Sequence, residues 1–281
     1  MKKVFLFLAA AVMAAGCERG YDGDETTVVK DGDNLVLNMS AAIETRGDAQ
    51  VRLADVCGRL NVAVFDEAGT KVKTVAQTAA DASFGTVALS VSPGTYRVVI
   101  VAHNGNGSAT ITNPEKVTFP NNKVTDTFYY CGMLTATAER QDVSIGLQRV
   151  VAKLRIHMTG ESLRSDIASF KFYYLGGSST LSPMDGFGCV NSKQTEYRET
   201  DESGCYELYT IPHTTDDVLT RVVVTALDAA DNVLGECELT NVPVTMNRVT
   251  DYTGDIFNGR GAMSIGLTVD SEWSGIDYYT F

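Results

Sequence analysis

Histidine, proline and tryptophan are scarce in this chain, with three, six and one among 281 residues. No HExxH, GxSxG or phosphate-loop pattern accompanies the few imidazoles, so metal hydrolysis, acyl transfer and nucleotide chemistry have no local signature. His157 falls on the polar side of an alternating run, His103 at the end of another and His213 beside Pro212; each reads as structural. The glycines at 105 and 107 alternate with asparagines as turn residues do, and their spacing does not fit GxGxxG. Carboxylates are many but scattered, and no catalytic pair stands out. Positive charge is also short, with 23 Lys and Arg against 35 Asp and Glu and a net charge of −12. A surface of that sign repels phosphate backbones, which excludes nucleic acid as a partner. No two cysteines stand close enough for a zinc knuckle. The composition therefore points away from an enzyme and implies no cofactor and no metal.

Long apolar runs are missing too, except at the start. Lys2 and Lys3 precede an unbroken apolar stretch at 4–13, and Ala14, Ala15 and Gly16 follow it. Ten residues are too few to span a bilayer, which takes about 20. The layout is that of an export signal occupying residues 1–16. Cys17 sits where cleavage after Gly16 would leave it first in the mature chain. This resembles the lipobox of bacterial lipoproteins, with Ala14 standing where that motif usually carries leucine. The lipobox implies a lipidated Cys17 and an outer-membrane anchor; each buried acyl methylene contributes ~0.8 kcal/mol to such a tether. Loss of Lys2 and Lys3 with the signal takes the net charge from −12 to −14. Residues 17–34 are acidic and Gly-rich without apolar periodicity, and read as a flexible spacer. Their Asp-Gly-Asp pairs do not continue into the ligand spacing of a calcium loop.

From Leu35 onward the chain alternates as strands do. Leu35, Leu37, Met39, Ala41 and Ile43 share one face, and Leu60, Val62 and Val64 repeat the period. Pro93-Gly94 between β-branched runs reads as the turn of a hairpin. A second alternation, Val150 to Met158, opens a new series with strands expected at 168–175, 205–211, 219–228 and 233–240. Residues 176–203 read as a long loop holding a small hairpin. The simplest account is all-β, with two tandem antiparallel β-sandwiches covering 35–141 and 142–281. Five cysteines remain beyond Cys17, an odd number, and export permits disulfides. A Cys57–Cys131 bridge within the first half is the expected pairing.

Four phrases carry a resemblance: LVLNMSAAIETR at 35–46, PGTYRVVIVAHN at 93–104, LQRVVAKLRIHM at 147–158 and NRVTDYTGDIF at 247–257. With the signal and the twin β-rich halves, they resemble the Bacteroidetes fimbrillin superfamily, in particular its FimB-type fimbrial anchor subunits. The resemblance implies two transthyretin-like sandwiches, pilin subunits as partners, and a role in holding a fimbria on the outer membrane and limiting its length. Fibres of this kind grow by strand addition, in which a segment of one subunit completes the sheet of the next.

The run at 262–273 is the candidate for such an exchange, because Met263, Ile265, Leu267, Val269 and Trp273 share a face at period two. Burying five such side chains yields roughly 8–15 kcal/mol. Ordering the segment costs a comparable ~1–2 kcal/mol per residue, so the backbone ladder must supply the surplus. The competing expectation, slightly favoured, is that this run is the last strand of its own domain. Polymerising fimbrillins lose an N-terminal strand after an arginine. Arg46 offers that chemistry, but cleavage there would sever the tether, so none is expected. Other functions open to the sequence are a tip or accessory adhesin of the same fimbria and a surface glycan-binding lipoprotein.

Overall fold

The computed structural model describes residues 32–42, 50–257 and 273–280. The first half contains β1 (Leu35–Ala42), β2 (Gln50–Arg52), the one-turn helix α1 (Leu53–Val56), β3 (Arg59–Phe65), β4 (Lys71–Thr78) and β5 (Thr86–Leu89). It continues through β6 (Gly94–His103), β7 (Thr110–Asn113), β8 (Lys116–Thr118), β9 (Thr127–Ala136) and β10 (Gln141–Arg149). The second half contains β11 (Ala152–Met158), β12 (Ser169–Gly176), β13 (Thr180–Ser182), β14 (Phe187–Gly188) and β15 (Lys193–Glu199). It ends with β16 (Cys205–Thr210), β17 (Asp216–Leu227), β18 (Val233–Thr245), β19 (Val249–Gly254) and β20 (Ile276–Thr280).

Two sandwiches result, so the all-β expectation holds. In the first, β9-β6-β3-β4 faces a layer in which β1 pairs with β10 on one edge and with β5 and then β2 on the other. Leu37, Leu60, Val62, Val98, Ile100, Phe128, Ile145 and Leu147 fill the space between. In the second, β16-β11-β19-β20 packs on β15-β12-β17-β18 around Leu154, Ile156, Phe170, Phe172, Val222, Val224 and Val242. The pairing is not wholly antiparallel: β1–β10, β11–β19 and β19–β20 are parallel.

Three details depart from the sequence reading. Pro93-Gly94 does not close a hairpin, because β5 pairs with β1 while β6 pairs with β3 and β9. The chain crosses between layers there, held by Asn34, whose side chain donates to Val91 O and accepts from Val91 N. The strand at 141–149, counted above with the second half, is paired to β1, and Ile145 and Leu147 lie in the first core. Residues 193–199, read as loop, form the edge strand β15 against β12.

A third core joins the halves. Ala63, Phe65, Val99 and Val101 on the back of the first sandwich meet Val150, Val151, Leu181, Ile211 and Val249 of the second. A small sheet crosses the same seam: β7-β8 from the first half pairs with β13-β14 from the second, with Thr118 opposite Thr180 and Val117 opposite Leu181. Lys123 Nζ lies 3.0 Å from the buried Glu196 carboxylate on the other side, which also accepts from Tyr174 Oη at 2.8 Å.

Candidate functional site: the seam and the chain ends

Of the residues singled out from sequence, Gly16, Cys17, Arg46, Met263, Ile265, Leu267 and Val269 lie outside the described residues. Trp273 lies inside them, and its place is a core. It is buried in the seam, precedes β20, and its ring stands 3.9 Å from the Arg149 guanidinium carbon, 4.8 Å from Lys153 Nζ and 6.4 Å from the Tyr209 ring centre.

Arg149 is the last residue of β10, and its side chain is 1% exposed. It binds Asp126 through Nε at 2.8 Å and Nη2 at 3.0 Å, reaches Asn247 Oδ1 at 3.3 Å, and packs 4.6 Å from the Phe128 ring centre. A planar guanidinium suits this double role of bidentate partner and stacking surface, which an ammonium could not fill. It thus joins the first sandwich to the segment that carries the last strand.

β11 turns Lys153, Arg155 and His157 away from the second core, onto a face shared with Glu207 of β16 and Asp251 of β19. Lys153 Nζ is 3.0 Å from Glu207, Arg155 is 3.3 Å from Glu207 and 3.4 Å from Asp251, and His157 Nε2 is 3.4 Å from Asp251. Burial alone would raise the Glu207 carboxyl, but Lys153, the Tyr209 hydroxyl and Arg155 outweigh it and hold the pKa below its ordinary value. At Asp251 burial prevails over His157 and Arg155, and the pKa is raised. Cys205 Sγ lies 4.0 Å from the same His157 Nε2 that faces Asp251. A nucleophile–base–carboxylate relay needs opposite ring nitrogens, and burial raises the Cys205 thiol further from reactivity. The cluster is a half-buried ion-pair network, with Lys153, Arg155 and Asp251 inside and Glu207 and His157 at its rim.

β20 continues that sheet as its edge. Val249 to Thr253 pair with Ile276 to Thr280, Arg248 bonds Asp277 at 3.1 and 2.8 Å, and Tyr252 stacks on Tyr279 at 4.9 Å. At the other end of the chain, β1 is paired along both edges, with Leu35, Leu37, Met39 and Ala41 in the first core. The expected Cys57–Cys131 bridge is not made. Both are free thiols; Cys57 is in the first core, while Cys131, opposite Val99, faces the seam on the other side of the sheet. Sequence reasoning passed over Arg149 because it sits between two apolar runs and resembles an ordinary strand-end charge.

Among known families, the model of fimbrillin-A associated anchor proteins, Mfa1 and Mfa2, matches residues 31–277. The chain belongs to this family. No curated protein sequence matches it. Solved structures do. A candidate polysaccharide-binding protein from Bacteroides thetaiotaomicron is 12% identical with a TM-score of 0.51, covering 74% of this chain and 79% of that one. A candidate adhesin from Bacteroides ovatus is 12% identical with a TM-score of 0.51, covering 73% and 76%. The fimbrial anchor protein Mfa2 from Porphyromonas gingivalis, 12% identical, covers 74% and 82% at a TM-score of 0.44. At such identities the structures speak for the fold, and the family match places the chain among fimbrial subunits, whose partners are other subunits of the fibre and whose place is the cell surface.

Proposed function

We propose that this fimbrial protein is the membrane-tethered base subunit: a lipoprotein held in the outer membrane through Cys17, gripping the first pilin through strand contacts and limiting fibre length. The observation that carries the reading is the signal pattern ending in Ala14-Ala15-Gly16-Cys17, a short acidic spacer before a family match that opens at residue 31. The two sandwiches act as tandem modules that meet at Arg149–Val150. Arg46 is not a processing site in this subunit. Cleavage there would remove both the tether and β1, whose four core side chains contribute roughly 1.5–3 kcal/mol each for the larger ones. The segment at 262–273 remains a candidate for exchange with a neighbour through Met263, Ile265, Leu267 and Val269, with Trp273 as its fixed end.

Metabolic labelling with a fatty-acid analogue tests the tether. The wild-type chain takes label and Cys17→Ala does not, and cells carrying the variant shed fimbriae into the medium. An unlabelled wild-type chain, or a mature chain beginning at Gly47, would overturn the base-subunit reading and favour a stalk or tip subunit.

A further inference from the structure

At the end of the second sandwich remote from the seam, three connections gather with the residues that follow β19. They are 159–168 between β11 and β12, 200–204 between β15 and β16, and 228–232 between β17 and β18. The registers bring them together: Met158 lies opposite Gly254, His157 opposite Cys205, and Ser169 opposite both Glu199 and Leu227. The N-terminal side of the chain enters elsewhere, since Leu35 opens β1 opposite Gln141, at the far end of β10 from Arg149.

Between the first two loops lies a cavity of about 320 Å³, at the small end of the range for ligand pockets. Its lining is buried and apolar at Ile167, Phe170 and Tyr206, and exposed at Leu163, Asp201 and Glu202. Leu163 is 56% exposed and lies against Gly204, where a Cβ would meet its Cδ2 at 2.9 Å, so it links the two loops.

One wall is fixed in advance. Asp255 accepts from the Glu161 amide at 2.8 Å and the Ser162 hydroxyl at 2.9 Å, and Ser162 Oγ accepts from the Ile256 amide at 2.8 Å. Arg164 has its charge met already: it binds Asp166 at 2.9 and 3.1 Å and lies 4.3 Å from the Phe257 ring centre. Asp201 and Glu202 form no ion pair among the described residues. The Ser203 hydroxyl and amide hold the Asp201 carboxyl below its ordinary pKa, so it stays ionised at neutral pH. Across the three loops Glu161, Asp166, Asp201, Glu202, Asp228 and Asp231 stand against one cation, Arg164.

That field repels anionic ligands and leaves two lining carboxylates without a counter-charge. A fitting group has an apolar stem for Ile167 and Tyr206 and a cationic head for Asp201 and Glu202, which describes a lysine or arginine side chain. Exposed Leu163 offers further contact to an occupant larger than the cavity holds. We propose that this pole docks a basic segment of a protein partner, one lysine or arginine of which seats its side chain in the cavity. The contact stands apart from the base-subunit reading and does not depend on it.

The test titrates purified full-length protein with a fluorescent Gly/Ser peptide carrying one arginine, against the same peptide with citrulline in its place. The arginine peptide is expected to bind at least about tenfold more tightly, and added salt weakens it. Asp201→Asn combined with Glu202→Gln costs about tenfold, and Leu163→Ser, which alters no charge, costs about threefold. Glu67→Gln, an exposed carboxylate on the first sandwich, leaves binding unchanged. Equal binding of the arginine and citrulline peptides, or none of either, overturns the proposal. So does full binding by Leu163→Ser, which would reduce the site to unspecific surface charge. Spermidine binding as tightly as the peptide makes the occupant a free polyamine, and overturns the protein partner.

Discussion

Replacing Trp273 by alanine separates two views of the C-terminal segment. Were Trp273 part of an exchangeable strand, its loss would leave the isolated chain as stable as before and weaken only the fibre. The structure places it in the seam between the sandwiches, against Arg149, Lys153 and Tyr209. Truncating a buried tryptophan costs about 3–5 kcal/mol. The cation–π contact at 3.9 Å from a buried guanidinium supplies up to about 2 kcal/mol of that cost when desolvated. For a protein of this size each kcal/mol lowers Tm by about 2–4 °C, so Trp273→Ala is expected to melt roughly 6–20 °C lower. Urea unfolding, followed by tyrosine fluorescence because the variant has no tryptophan, gives the same loss as a lowered midpoint. Trp273→Phe keeps a ring against Arg149 and recovers much of the difference. A shift below about 1 kcal/mol in Trp273→Ala would refute the placement and return the residue to the exchangeable strand.

Three further outcomes are expected. His103 is fully buried, its Nδ1 accepts the Gly105 N–H at 3.0 Å, and its Nε2 has no partner among the described residues; burial, with Arg59 adding, lowers its pKa to about 4. The unfolded ring binds a proton near 6.5, so this site's stabilisation is complete above that pH and declines as pH falls towards 4. The decline amounts to about 3 kcal/mol and is absent from His103→Asn in parallel denaturation curves. Thiol labelling of the folded protein should modify exposed Cys189 first and buried Cys57, whose thiol burial raises strongly, only on unfolding; equal rates would contradict the core placement. Gly177 has φ +59° and lies where a Cβ would collide with the Thr210 hydroxyl, so Gly177→Ala should lose roughly 1–3 kcal/mol in the same urea assay.

The strands most legible in the sequence were those with one apolar and one polar face. β11 alternates through Leu154, Ile156 and Met158, and β17 and β18 join at the expected turn around residues 229–232. The least legible were strands with apolar or aromatic residues on both faces. β6 sends Val98 and Ile100 into the first core and Val99 and Val101 into the seam, so its apolar run is continuous and says nothing about which side faces inward. β9 likewise places Phe128 in one core and Tyr129 and Cys131 against the other; without alternation it was not recognised as a strand at all. The same blindness produced the mistaken disulfide, since the two thiols belong to different faces of one sheet.

The charged side of β11 teaches a second lesson, about what a polar face means. Lys153, Arg155 and His157 alternate with core residues, and alternation equates such a face with solvent. Here Lys153 and Arg155 are less than a tenth exposed, and their partners Glu207 and Asp251 come from strands about 50 and 100 residues away. Periodicity reports that two faces differ; it carries no information on what covers either of them. The seam follows the same logic, because the pairing of β8 with β13 joins residues more than 60 positions apart through a register of two residue pairs, too short to leave a local pattern. Such contacts are specified by shape and charge across the assembled sandwiches. Arg149 meets that requirement by satisfying Asp126 and Asn247 while lying between the Phe128 and Trp273 rings, so that one side chain fixes the first sandwich, the second, and the segment leading to β20.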